Sequence, residues 1–135
     1  MSKSNNATFR RPDGSRPIDD DRIVTDLEER IQQLEAEEAW QKNDRNGITL
    51  FKTTGITVVL STLREGASIT DNTAAGIMTV QVLDGRVEAR VGNNNHKAGK
   101  GEMLFIHREE PHTIQVLEHA RLLITLTGDT GGDNV

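Results

Sequence analysis

IMTVQVLDGRVEARV at residues 77–91 and GEMLFIHREEPHTIQVLE at residues 101–118 decide the fold. In the first stretch Met78, Val80 and Val82 alternate with Thr79, Gln81 and Leu83, and a strand sends alternate residues to opposite faces. Asp84-Gly85, set between two such patterns, is a hairpin signal. The second stretch holds two β-branched runs, Met103 to Ile106 and Thr113 to Leu117, separated at Glu110-Pro111. Working outward, Ile48 to Phe51, Ile56 to Leu63 and Arg121 to Leu126 repeat the grammar. Thr54-Gly55, Glu65-Gly66, Gly92 to Asn95 and Gly99 to Gly101 supply turn chemistry between them, at intervals that suit a barrel or a sandwich. The fold class is therefore all-β.

The ends differ from this middle. From Arg22 to Trp40 the apolar residues Ile23, Leu27, Ile31 and Leu34 fall at spacings of four, four and three, which is one stripe of a helix. Asp19 to Asp21 offer a cap and favourable first-turn charge, and Asn43 to Gly47 form a turn. Residues 1–17 contain Phe9 as their one aromatic and too little apolar area to offset chain entropy. The organisation expected is a flexible arm over 1–21, a helix and turn packing on the barrel over 22–46, the barrel over 47–127 and a disordered tail over 128–135.

The chain has 135 residues, enough for one core. It contains no cysteine, which excludes disulfides, thiolate metal sites and a cysteine nucleophile. The formal net charge of -5, without a Lys/Arg cluster, argues against nucleic acid as a partner. No apolar run is long enough to span a bilayer and the N-terminus lacks the apolar run of a signal peptide, so no membrane partner is expected and the default compartment is the cytoplasm.

With Gly66 and Gly85 bracketing one strand pair, and Gly101 and His112 another, the chain resembles a small single-domain cupin of a bacterial subgroup without assigned activity. The resemblance extends upstream through Ala39 to Asn46. The cupin pattern G-x5-H-x-H-x3,4-E-x6-G places its two glycines on Gly66 and Gly85, and its three ligand positions on Asn72, Ala74 and Met78. The second pattern, G-x5-P-x-G-x2-H-x3-N, retains Gly101 and His112 but meets His107, Glu109 and Val116 at its other positions. The resemblance implies a double-stranded β-helix, that is, a jelly-roll barrel of two antiparallel sheets, to which the residues themselves add an N-terminal helix and a disordered N-terminal arm. It also implies a ligand-sized interior and a homodimer.

In cupins with a metal, three His and one Glu hold it; here Ala74 and Met78 supply no hard donor and Asn72 only a neutral amide oxygen. No cofactor is expected. The weak alternative is a divalent ion (Fe, Mn, Ni or Zn) on His107, His112 and Asn72. His112 is the candidate acid/base, because imidazole exchanges protons near neutral pH. Met78 and Val80 would line the interior, completing a set of pocket candidates with Asn72, His107 and His112. His96 and His119 are expected in solvent beside loops.

Three functions fit these residues. The first, which the lost ligands favour, is a metal-free small-ligand-binding or stabilising module with a degenerate metal site. The second is an enzyme, an oxygenase or isomerase with an atypical centre around His107 and His112. The third is an interaction module that uses the sheet edge and the helix over Asp26 to Trp40.

Overall fold

The computed structural model describes residues 3–5, 16–71 and 75–128. Asn72 and Ala74, most of the expected arm and all of the expected tail except Gly128 lie outside the described residues. Strands β1 (Lys3–Asn5) and β2 (Arg16–Asp19) pair antiparallel as a two-stranded ribbon.

Helix α1 covers Leu27–Ala36 and α2 covers Glu38–Lys42, in place of one helix from Arg22. The cap is Asp26, whose carboxylate accepts from the Glu29 N–H at 3.0 Å. Asp19 cannot cap, because β2 holds it in extended pairing with Lys3. The break falls at Glu37, which is extended at φ -81 and ψ 152. There the Asn46 side-chain amide donates to the Leu34 carbonyl and to the Glu37 carboxylate, both at 2.9 Å. These bonds satisfy groups that a terminated helix would leave open.

The main sheet is built from β3 (Arg45–Thr53), β4 (Ile56–Leu63), β5 (Ser68–Asp71), β6 (Ile77–Val91), β7 (Asn94–Gly99), β8 (Met103–His107) and β9 (His112–Thr127). β3 begins at Arg45, so the turn expected over Asn43 to Gly47 is confined to Asn43 and Asp44. The ladder from Arg45↔Leu63 to Thr53↔Ile56 draws the rest into the strand.

Asp84-Gly85 does not make a hairpin. β6 runs straight through it, and β9 likewise joins the two segments expected as separate strands. The β6–β9 ladder continues from Met78↔Leu126 to Val91↔His112, with shifts of register between Val82 and Val87. At this bulge both strands bend and pass from one sheet layer to the other. Gly85 sits there at φ +82, where a Cβ would overlap the His119 carbonyl, so the glycine marks a corner and not a turn. The hairpin is instead at Gly92-Asn93, between Val91 and its partner Asn94. Its positive φ is at Gly92 alone, as in a type II′ turn.

The pairings resolve into two layers. The larger has the order β3, β4, C-terminal half of β9, N-terminal half of β6, β8; the smaller has β5, N-terminal half of β9, C-terminal half of β6, β7. Between them lies a core that includes Met78, Val80, Val82, Val87, Ile114, Leu122 and Ile124. Each fully buried aliphatic side chain here contributes about 1.5–3 kcal/mol. A second cluster on the outer face of the larger layer joins Ile31 and Leu34 of α1 to Ile48, Leu50 and Leu60, with Leu83 and Leu123 at its border. No described helix is long and apolar enough to cross a membrane.

Candidate functional site

Strand parity separates the residues that the sequence nominates. Met78 and Val80 are fully buried between the layers, as packing of that core. His112 also faces inward, with 3% of its surface exposed, at the beginning of β9. Its Nδ1 lies 2.9 Å from the Glu110 carbonyl oxygen. A carbonyl only accepts, so Nδ1 carries the proton, and in the neutral ring Nε2 is left as an acceptor. That Nε2 is buried and has no partner among the described residues. His107 lies on the opposite side of β8 from the buried Ile106, in solvent, 3.9 Å from the Glu109 carboxylate. The structure does not bring His107 and His112 onto one face.

Between them, Arg108 is fully buried. Its guanidinium Nη1 donates to the Thr127 carbonyl at 2.7 Å, and its backbone N–H donates to the Gly76 carbonyl at 2.9 Å. The turn joining β8 to β9 is thereby fastened to the end of the larger layer. Nothing in the local sequence marks this arginine, since it follows an exposed histidine and precedes two glutamates.

A cavity of about 560 Å³ opens where β7 and β8, both partners of β6, diverge. Ala89, Val91, Leu104 and Ile106 form an apolar floor, while Asn94, His96, Lys97, His107 and Glu110 bring polar groups to the rim. His96 pairs with Ala89 and shares the parity of the buried Ala98, which aims it toward the floor. Asn94 and His96 escape the sequence reading because β7 is read as punctuation after Gly92. The signal that finds them is the pair Gly92-Asn93 taken as a two-residue hairpin turn. His107 is the one sequence-nominated residue on this cavity, and Glu110 ties it to His112 through the carbonyl that His112 holds.

At the opposite end, where β6 and β9 bend, a network of polar groups joins helix to sheet. Arg121 grips Glu35 of α1 with two bonds of 2.9 and 2.7 Å, and Thr62 donates to the same carboxylate at 2.7 Å. His119 Nε2 lies 3.2 Å from that carboxylate and its ring packs on Trp40 at 5.2 Å between centroids. Arg64 covers Trp40 at 3.9 Å and donates to its carbonyl at 2.8 Å. His119 is exposed as expected, with 45% of its side chain in solvent, but it lies within β9 and not beside a loop, and its buried side joins helix to sheet. Burial opposes ionisation of Glu35, but the hydrogen bonds from Arg121 and Thr62 and the charge of Arg121 outweigh it, holding the carboxyl below its ordinary range.

The resemblance maps the ligand positions of metal-bearing cupins onto Asn72, Ala74, Met78 and His112, of which the first two lie outside the described residues. Met78 is packed in aliphatic core, Ala74 has no donor, and His112 is the single imidazole of the set. Among the described residues no three His, Asp or Glu side chains converge as a metal site.

No family model matches the chain, and no curated protein matches it. Solved structures do. A cupin superfamily protein from Desulfitobacterium hafniense superposes with a TM-score of 0.64 at 15% identity, over 83% of this chain and 95% of that one. A structure of unknown function from Rhizobium leguminosarum gives 0.59 at 23%, over 80% and 96%. An ectoine synthase from P. lautus gives 0.60 at 18%, over 78% of each chain. At these identities the likeness is one of fold, and it agrees with the two bent strands shared between antiparallel layers: the chain is a small cupin-fold protein.

Proposed function

We propose that this chain is a cytoplasmic cupin-fold module that binds a small molecule, without a metal centre, in the cavity between β7 and β8. The observation that carries the proposal is the shape and lining of that cavity: an apolar floor inside the fold, polar side chains at the rim, and a volume in the range of small-molecule sites. The ligand that fits has a compact apolar body and a polar end able to bond the rim imidazoles, amide and ammonium. Packing of Met78 and Val80 in the core supports this placement, because it leaves the expected interior site no room at those two positions. A centre built on His107 and His112 gains no support from side chains that point to different faces.

A thermal-shift screen with small organic acids and sugars tests the proposal. A ligand at about 100 times its Kd adds about 2.7 kcal/mol, a rise in Tm on the order of 10 °C. The rise should vanish in Ala89→Phe, which fills the floor, and shrink in His96→Ala. A panel with no hit, or hits that shift Ala89→Phe as much as the wild type, would sink the reading.

A further inference from the structure

We infer that the Asn46-Gly47 step is a deamidation site, whose side-chain amide is protected by the closed joint between helices and sheet and whose loss as ammonia unlatches that joint. The sequence reads Asn43 to Gly47 as a turn, but the step lies inside β3, so no turn accounts for its composition. It is the one Asn-Gly step in the chain. β4 accounts for the glycine, because a Cβ at position 47 would lie 3.0 Å from the hydroxyl oxygen of the buried Ser61. A glycine after an asparagine also leaves its backbone nitrogen unshielded by a side chain, which attack on the neighbouring amide requires.

The reacting groups are already neighbours. The Gly47 N–H donates to Asn46 Oδ1 at 3.0 Å, which sets the nitrogen beside the amide group. In the step itself the Gly47 nitrogen gives its proton to solvent and bonds to Asn46 Cγ, the Cγ–Nδ2 bond breaks, and Nδ2 takes up a proton and leaves as ammonia. Water then opens the cyclic imide at either carbonyl, leaving aspartate or, with the main chain rerouted through the side chain, isoaspartate. Nothing is oxidised or reduced, and water is the only co-reactant. Protection comes from Nδ2, which donates to the Leu34 carbonyl and to the Glu37 carboxylate, both at 2.9 Å. The amide can neither turn toward the nitrogen nor depart without giving up both bonds, one of them to an ionised acceptor.

The product does not fit where the amide did. A carboxylate at position 46 brings an anionic oxygen against the Glu37 carboxylate and the Leu34 carbonyl, three acceptors with no donor among them. Isoaspartate in addition inserts a methylene into the main chain of β3, between the residues that pair with Thr62 and Ser61. Either product repels Glu37, the extended residue that ends α1 and begins α2. Because the amide does not re-form by itself, the release of this joint runs one way.

Peptide mapping by mass spectrometry tests this on the full chain, held in warm, mildly alkaline buffer with and without denaturing urea. Conversion at Asn46, read as a gain of one mass unit and as separately eluting aspartate and isoaspartate peptides, should go to completion in urea. In the folded chain it should run about 10–100-fold slower. Glu37→Ala removes one of the two acceptors and should speed conversion in the folded chain about 10-fold, leaving the rate in urea unchanged. Asn46→Asp, with strand content checked by circular dichroism, should lower Tm by roughly 5–10 °C and open the chain to trypsin at Lys42. No conversion in urea, equal rates in the folded and unfolded wild type, or a folded Glu37→Ala no faster than the wild type overturns the protected site. An Asn46→Asp variant with the Tm and trypsin resistance of the wild type overturns the release. The wild-type comparison decides protection even where a variant does not fold.

Discussion

The two ends of the barrel solve the same problem differently. Where β6 and β9 bend, the side chains are spent on one another: Arg121 serves Glu35 and also lies 3.3 Å from Asp84, His119 lies against Trp40, and the missing Cβ of Gly85 makes room for the His119 carbonyl. Where β7 and β8 diverge, His112 keeps a buried nitrogen with no partner among the described residues, and Phe105 stands in water. One end is braced by its own ion pairs, with open hollows of about 410 and 490 Å³ beside them. The other holds groups whose cost in the isolated chain has no return in packing, which is the usual mark of a surface kept for something else.

Substitutions can break this contrast. The largest effect is expected at the corner. Gly85→Ala places a Cβ in a left-handed conformation and against backbone that cannot swing away, so a loss of roughly 3 kcal/mol or more is expected, seen as a lower denaturant midpoint. Glu35→Gln, at the same end, should cost about 1–2 kcal/mol by removing the charged half of a two-bonded pair. Its pH dependence has a definite sign. The folded-state pKa of Glu35 is depressed, so the wild-type advantage is present above the ordinary value of 4.5 and fades as pH falls through and below it. Denaturation series of wild type and variant should therefore converge in acid; parallel curves would show that the carboxylate contributes nothing there.

The open end should respond least. His112→Leu removes the hydrogen bond to Glu110 but also removes a buried nitrogen that has no partner among the described residues, and these changes offset to within about 1 kcal/mol. If His112→Leu instead destabilises as much as Glu35→Gln, the two ends are built alike and the contrast fails. Binding sharpens the comparison: any ligand found by thermal shift should respond to His96→Ala and be indifferent to Glu35→Gln.

The layered β architecture is legible in the sequence because alternation survives wherever one strand face is buried, as at Met78, Val80 and Val82. Continuity along the strands is not. A glycine after an aspartate has the same letters at a corner as at a turn, and only the partner strand, with His119 pressed against Gly85, distinguishes the two. β7 is hidden for the complementary reason: Asn94 to Lys97 are exposed and polar, so no alternation announces an edge strand. The cap at Asp26 loses to the aspartates before it in the sequence reading, because the pairing that holds Asp19 is not local. Of the candidate site, His107 alone lies on the observed cavity, since spacing along a motif does not tell which side of an edge strand a residue occupies.

Both layers own half of β6 and half of β9. Neither layer can therefore detach while the other persists, and the pairings that create them, such as Met78 with Leu126, close long loops before they are rewarded. The molecule should fold slowly for its size and open as one unit, with amides along the shared strands exchanging together and later than those of the ribbon near the N-terminus. A fold hinged on common strands has no spare half to lose, so its tolerance for change lies at the edges, where β8 and β7 end the ladders.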